Sequence, residues 1–136
     1  MKAKKRAVVA SGKRKTAVAR AVIRRGQGRV RINKVPLEIH QPEMARLKIQ
    51  EALALAGEKA TKVDIDVNVH GGGIMGQADA IRTAVARGLV SFYKDDDLES
   101  LLRNYDRTLI VPDIRRKLPK KPLGRGARKM RQKSYR

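Results

Sequence analysis

Between Thr16 and Arg25 the residues alternate, with Ala17, Ala19, Ala21 and Ile23 on one side and Val18, Arg20, Val22 and Arg24 on the other. A period of two is that of a strand with one buried face. Gly26-Gln27-Gly28 makes a turn, and Arg29-Val30-Arg31-Ile32 resumes the alternation, so the two segments read as a hairpin. Its outer face would carry Arg20, Arg24, Arg29 and Arg31. The apolar stretch Ala7-Val8-Val9-Ala10, bounded by Ser11-Gly12, reads as a preceding strand. The cleanest alternation sets Val63, Ile65, Val67 and Val69 against Asp64, Asp66, Asn68 and His70.

Elsewhere the spacing is helical. A helix is predicted from Pro42-Glu43, where proline suits the first turn and the acid complements the N-terminal dipole. Ala45, Ile49, Ala52, Leu53 and Ala56 form its apolar stripe and Gly57 its terminator. Ala78, Ile81, Val85, Leu89 and Phe92 mark a second helix, whose edge of Ala80, Ala84 and Gly88 allows close packing. Asp95-Asp96-Asp97 caps a short last helix that would bury Leu98, Leu101, Leu102 and Tyr105. The order β-β-β-α-β-α with a terminal short helix predicts an α+β fold, a two-layer α/β sandwich of one sheet with helices on one face.

After Asp106 the pattern changes. Thr108-Leu109-Ile110-Val111 is the last apolar group, and Pro112, Pro119, Pro122, Gly124 and Gly126 break any regular element. The expected division is a globular domain, residues 1–106, and an extended basic tail, residues 107–136. Residues 115–136 have too little apolar surface to offset the entropy of ordering, so they should order only on a polyanion. Fully extended, the stretch from Gly124 to Arg136 reaches on the order of 40 Å.

Charge sharpens this division. The chain carries a formal +20 with pI near 11.1. Residues 1–37, 38–106 and 107–136 contribute +13, −4 and +11, and Asp113 is the one acid of the last segment. A near-neutral centre between two basic ends is a binding footprint for a polyanion rather than an ordinary mixed surface. No apolar run approaches the ~20 residues that span a bilayer, so membrane is the weakest partner. The charged start Met1-Lys2-Ala3-Lys4-Lys5-Arg6 lacks a following apolar region, which argues against a secretory signal. Without cysteine there is no disulfide or thiolate zinc site.

Candidate chemistry is sparse. Gly71-Gly72-Gly73-Ile74-Met75-Gly76-Gln77 joins a strand to a helix, where backbone amides could meet a phosphate. It lacks the Gly-Lys-Ser/Thr ending and fits neither nucleotide fingerprint, so a sterically tight turn is the favoured reading. His40 and His70 are the only histidines, and no metal site is expected from them. No set of side chains suggests nucleophilic or acid–base catalysis, and no cofactor is expected. One Phe, three Tyr and no Trp give nucleic-acid bases few rings to stack on, so phosphate and shape recognition of folded RNA is favoured. Composition alone leaves a DNA-packaging protein open.

The glycine loop and its helix carry a specific resemblance. Gly71-Gly72-Gly73-Ile74-Met75-Gly76-Gln77-Ala78-Asp79-Ala80-Ile81-Arg82, continuing through Ala86-Arg87-Gly88-Leu89, resembles the signature of the ninth small-subunit ribosomal protein family. Gly12-Lys13-Arg14-Lys15-Thr16-Ala17-Val18-Ala19-Arg20 resembles its first-strand motif, and Gly28-Arg29-Val30-Arg31-Ile32-Asn33 its hairpin return. The ending Gln132-Lys133-Ser134-Tyr135-Arg136 is similar to the archaeal and eukaryotic form, and the compact length looks archaeal. The resemblance implies the ribosomal protein S-five domain-two-like sandwich with a left-handed β-α-β crossover. It also implies a cytoplasmic protein in the head of the small ribosomal subunit, with no enzymatic activity. Some small-molecule kinases share this general fold, but their glycine loops carry serine or lysine that this one lacks.

The expected partners are small-subunit ribosomal RNA, peptidyl-site tRNA and neighbouring ribosomal proteins of the head. Residues expected to meet ribosomal RNA are Lys13, Arg14, Lys15, Arg20, Arg24, Arg29, Arg31 and Arg82, with Arg115, Arg116, Lys117, Lys120, Lys121, Arg125, Arg128, Lys129 and Arg131 of the tail. The resemblance assigns tRNA contact to Arg136, which matches the family's terminal arginine, with Lys133 and Tyr135 beside it.

Overall fold

The computed structural model describes residues 6–136, so the charged start through Lys5 lies outside the described residues. Among the described residues five strands and four helices form: β1 (Ala7–Arg14), β2 (Ala17–Arg25), β3 (Val30–Ile32), β4 (Val35–Pro36), α1 (Glu43–Ala56), α2 (Glu58–Thr61), β5 (Val63–His70), α3 (Ile74–Tyr93) and α4 (Asp96–Tyr105). Single 3-10 turns follow β4 at Leu37–Ile39 and α4 at Arg107–Leu109. The strands make one sheet in the order β1-β2-β5-β3-β4. This is the expected α+β sandwich. The additions, β4, α2 and the 3-10 turns, are too short for periodicity to reveal.

One face of the sheet is buried. Ala17, Ala19, Ala21 and Ile23 of β2 join Val63, Ile65, Val67 and Val69 of β5 beneath Ile81, Val85 and Leu89 of α3 and Ile49 of α1. Each strand presents alternate residues to this layer, as a period of two requires. Burial also lengthens β1 beyond the expected stop at Ser11-Gly12. The strand runs on to Arg14, and Gly12 sits inside it, because a Cβ there would run into the Ala80 carbonyl oxygen and the Ala84 nitrogen of α3. Gly12 is a close-packing glycine, the counterpart of the small edge on α3.

β2 and β3 do not form the expected hairpin. β5 lies between them, antiparallel to β2 and parallel to β3. Gly26-Gln27-Gly28 instead carries the chain around the start of β5: the Gly26 and Gly28 amides donate to the Lys62 and Val63 carbonyls, each at 3.0 Å. A turn signal records that the chain reverses, whereas pairing is decided by burial. β5, with every second side chain buried, takes a partner on each edge. The hairpins of this fold are β1–β2, closed by the two-residue turn Lys15-Thr16 with Lys15 at φ 52°, and the short β3–β4, closed by Asn33-Lys34.

α4 is capped as expected, Asp95 accepting hydrogen bonds from the Asp97 and Leu98 amides. Leu98 and Leu102 are buried, but Leu101 and Tyr105, expected beside them, are 49% and 57% exposed. A ten-residue helix at the edge of the domain meets the core along one i, i+4 line, and the neighbouring positions face water. The Tyr105 hydroxyl donates to Glu51 at 2.6 Å.

Packing continues beyond Asp106. Leu109 is fully buried. Thr83 Oγ1 donates to the Thr108 carbonyl (3.0 Å) and Arg87 Nε to the Ile110 carbonyl (2.7 Å), so α3 grips this segment on both sides of Leu109.

Candidate nucleic-acid interface

The alternation that buries alanines on one face of β2 puts its cations on the other. Lys13, Arg20, Arg24, Arg29 and Arg31 are all exposed on the helix-free face of the sheet or at its rim. The register places Arg20 beside Asn68 and Ser11, and Arg24 beside Asp64. β5 supplies the acids of this face, and both are engaged. Asp66 accepts from Arg31 Nε at 2.9 Å. Asp64 accepts from the Gln27 and Arg29 amides at 2.9 and 3.1 Å, which holds its carboxyl below the usual carboxylate range. His70 is exposed at the end of the same strand, beside Val18.

The β1–β2 turn brings Lys13, Arg14 and Lys15 to one end of the sheet, and the root of the tail arrives at the same place. Arg14 donates to the Arg115 carbonyl at 2.7 Å, and Arg116 donates to the Lys15 carbonyl at 3.0 Å. Asp113 lies 3.7 Å from Arg14 and accepts from the side chain and amide of Arg115 at 2.9–3.1 Å. The Arg115 guanidinium, the Arg115 amide and Arg14 together lower its pKa to about 2. Two basic segments about a hundred residues apart in sequence therefore meet in space. That convergence is invisible to a linear reading, although the lone acid that sits in it is not.

Beyond Arg116 the chain leaves the body. Lys117, Lys120, Lys121, Arg125, Arg128, Lys129, Arg131, Lys133, Tyr135 and Arg136 are all exposed. The segment is not uniformly extended: Lys121 and Gly126 are joined by a backbone hydrogen bond of 3.3 Å, which folds residues 121–126 into a turn. Further exposed cations, among them Arg25, Lys34 and Arg107, lie at strand ends and in turns, where alternation does not single them out.

Arg82 stands apart from the other expected contacts. It is 7% exposed, and its terminal nitrogen bridges Asp106 at 2.9 Å and Glu51 at 3.1 Å. Burial opposes ionisation of Asp106, yet the Thr108 amide and hydroxyl and Arg82 outweigh it and leave its pKa lowered. The terminal nitrogen is paired inside the protein and joins α1, α3 and the end of α4, while Nε is buried without a partner.

The glycine loop is a tight turn. Gly71 and Gly72 have φ of 76° and 66°, and side chains there would press on the backbone of Thr16 and Ala17. Gln77 Nε2 closes the loop onto the Gly71 carbonyl at 3.1 Å.

Comparison with known proteins finds relatives along nearly the whole chain. The family model described as ribosomal protein S9/S16 matches residues 12–136. A small ribosomal subunit protein uS9 of Thermoplasma volcanium is 59% identical over 129 residues, 95% of this chain and 98% of the relative. Those of Pyrobaculum aerophilum and Halobacterium salinarum are 57% and 55% identical, over 96% and 93% of this chain and 92% and 96% of theirs. The match takes in the hairpin turn, the open sheet face, the glycine loop and the whole tail, and on that ground the chain belongs to the ribosomal protein S9/S16 family.

Proposed function

We propose that this chain, a non-enzymatic structural component of the small subunit of the cytoplasmic ribosome, holds ribosomal RNA of the subunit head with its open sheet face and hairpin turn. On this reading Lys13, Lys15, Arg20, Arg24, Arg29 and Arg31 meet RNA from the body, and the tail cations from Arg115 to Arg131 continue the contact. Arg82 is left out because it is buried and paired, and Arg14 because its guanidinium is turned to the Arg115 carbonyl and Asp113. Lys133, Tyr135 and Arg136 reach tRNA in the peptidyl site.

The observation that carries the reading is the convergence of Lys13–Lys15 with Arg115 and Arg116. Cations gathered at one place repel each other in the free protein, and a phosphate backbone relieves that repulsion while releasing its condensed counterions. Arginine suits the distal end because its planar fork binds phosphate oxygens in pairs. The length supports the tRNA contact, since the last stretch can reach on the order of 40 Å from Gly124.

Small subunits reconstituted with a chain lacking Lys133–Arg136 test this. They should assemble normally and hold tRNA in the peptidyl site less tightly, measured by filter binding. Equal tRNA affinity with and without these residues would remove the tRNA contact from the proposal.

A further inference from the structure

Residues 107–136 hold a single acid, Asp113, and a carboxylate in that position opposes any polyanion the tail meets. Its surroundings give it another task. The Asp113 carboxylate takes a forked contact from Arg115 and faces Arg14, while Arg14 donates to the Arg115 carbonyl and Arg116 to the Lys15 carbonyl. Without the acid, three arginines would lie together around one turn with nothing to offset their repulsion. Asp113 reaches the β1–β2 turn at Arg14, 3.7 Å away, beside the two side-chain-to-carbonyl hydrogen bonds that tie the tail's root there. Immediately before it, Leu109 is buried and Ile110 is held by Arg87, so the chain enters this clasp from a fixed position.

We propose that Asp113 is a positioning residue for RNA binding: it clasps the tail's root to the β1–β2 turn, so that the tail leaves the body in one direction before RNA arrives. The inference rests on the reading that the tail binds RNA. Ordering the root is then accomplished when the protein folds and is not charged against association, the usual gain from preorganisation.

Simple electrostatics and positioning predict opposite signs. If only charge matters, Asp113→Asn removes a repulsive group and tightens RNA binding. If position matters, Asp113→Asn loosens it by roughly tenfold, comparable to ordering one backbone residue afresh on association. The experiment measures affinity for a transcript of small-subunit ribosomal RNA at one fixed salt concentration. Four chains are compared: the full chain and one ending at Arg116, each with and without Asp113→Asn. The expected result is a roughly tenfold loss in the full chain that disappears in the shortened one. Unchanged or tighter binding by the full-length variant overturns the proposal, and so does an equal loss in the shortened chain, which would mark general damage to the body. Truncation that leaves RNA affinity unchanged overturns instead the tail's part in binding, and the positioning role with it.

Discussion

Leu109 lies three residues beyond the point where the composition turns basic, yet it is fully buried. Replacing it with alanine therefore tests where the folded body ends. The substitution removes three carbons, about 2.4 kcal/mol of transfer free energy at about 0.8 kcal/mol for each. A cavity adds to this unless the surroundings collapse. Collapse is hindered here, because the backbone is held by Thr83 on one side and Arg87 on the other. A loss of about 3–4 kcal/mol follows. For a body of this size each kcal/mol lowers the melting midpoint by roughly 4 °C, so Leu109→Ala should melt about 12–16 °C lower. Leu118→Ala is the control. Leu118 is 57% exposed, and its loss should change stability by less than about 0.5 kcal/mol. Urea and thermal unfolding, both followed by circular dichroism, give the two numbers. Equal midpoints for Leu109→Ala and the parent chain would refute the assignment of this segment to the core.

Arg82→Met and Arg20→Ala should separate stability from binding. Arg82 joins Glu51 and Asp106, whose side chains are 32% and 35% exposed and can rehydrate, so its loss should cost about 1–2 kcal/mol in unfolding and leave the salt dependence of RNA binding unchanged. Arg20→Ala should leave the melt unchanged and lower the slope of log affinity against log salt by about one unit. Acid should loosen the fold in a defined window. Arg115 and Arg14 hold the Asp113 carboxyl down to about 2, below the ordinary aspartate value of about 3.9, so the unfolded chain binds more protons between these values and stability falls as pH falls. Asp64 and Asp106 are shifted the same way. The melting midpoint should hold above about pH 5 and drop as pH approaches about 2, more shallowly in Asp113→Asn.

Much of this architecture is legible along the chain because burial here is one-sided. Ala17–Ile23 and Val63–Val69 announce their buried faces, and the cations of β2 share the face that alternation assigned to them. What escapes is whatever depends on residues distant in sequence. The turn at Gly26–Gly28 was equally compatible with pairing β2 to β3, and only the need of β5 for partners on both edges decides otherwise. Ser11-Gly12 reads as a stop until α3 is laid over it and the glycine becomes the only residue that fits. Arg82 looks like one more cation, because nothing in its neighbourhood along the chain reveals Glu51 above it or Asp106 beyond.

The strand order β1-β2-β5-β3-β4 has a consequence for how the chain comes into being. Synthesis proceeds from the N-terminus, and the β1–β2 hairpin can close as soon as Arg25 is made. β3 and β4 must then wait about thirty further residues, because the strand that joins them to the hairpin begins only at Val63. Until it arrives, the inner edge of the hairpin carries unpaired backbone groups and an arginine-rich surface without the carboxylates of Asp64 and Asp66. Insertion of one late strand thus zips the sheet and moderates its charge in a single event. A nascent chain halted before that strand should cling to nucleic acid less selectively than the finished protein.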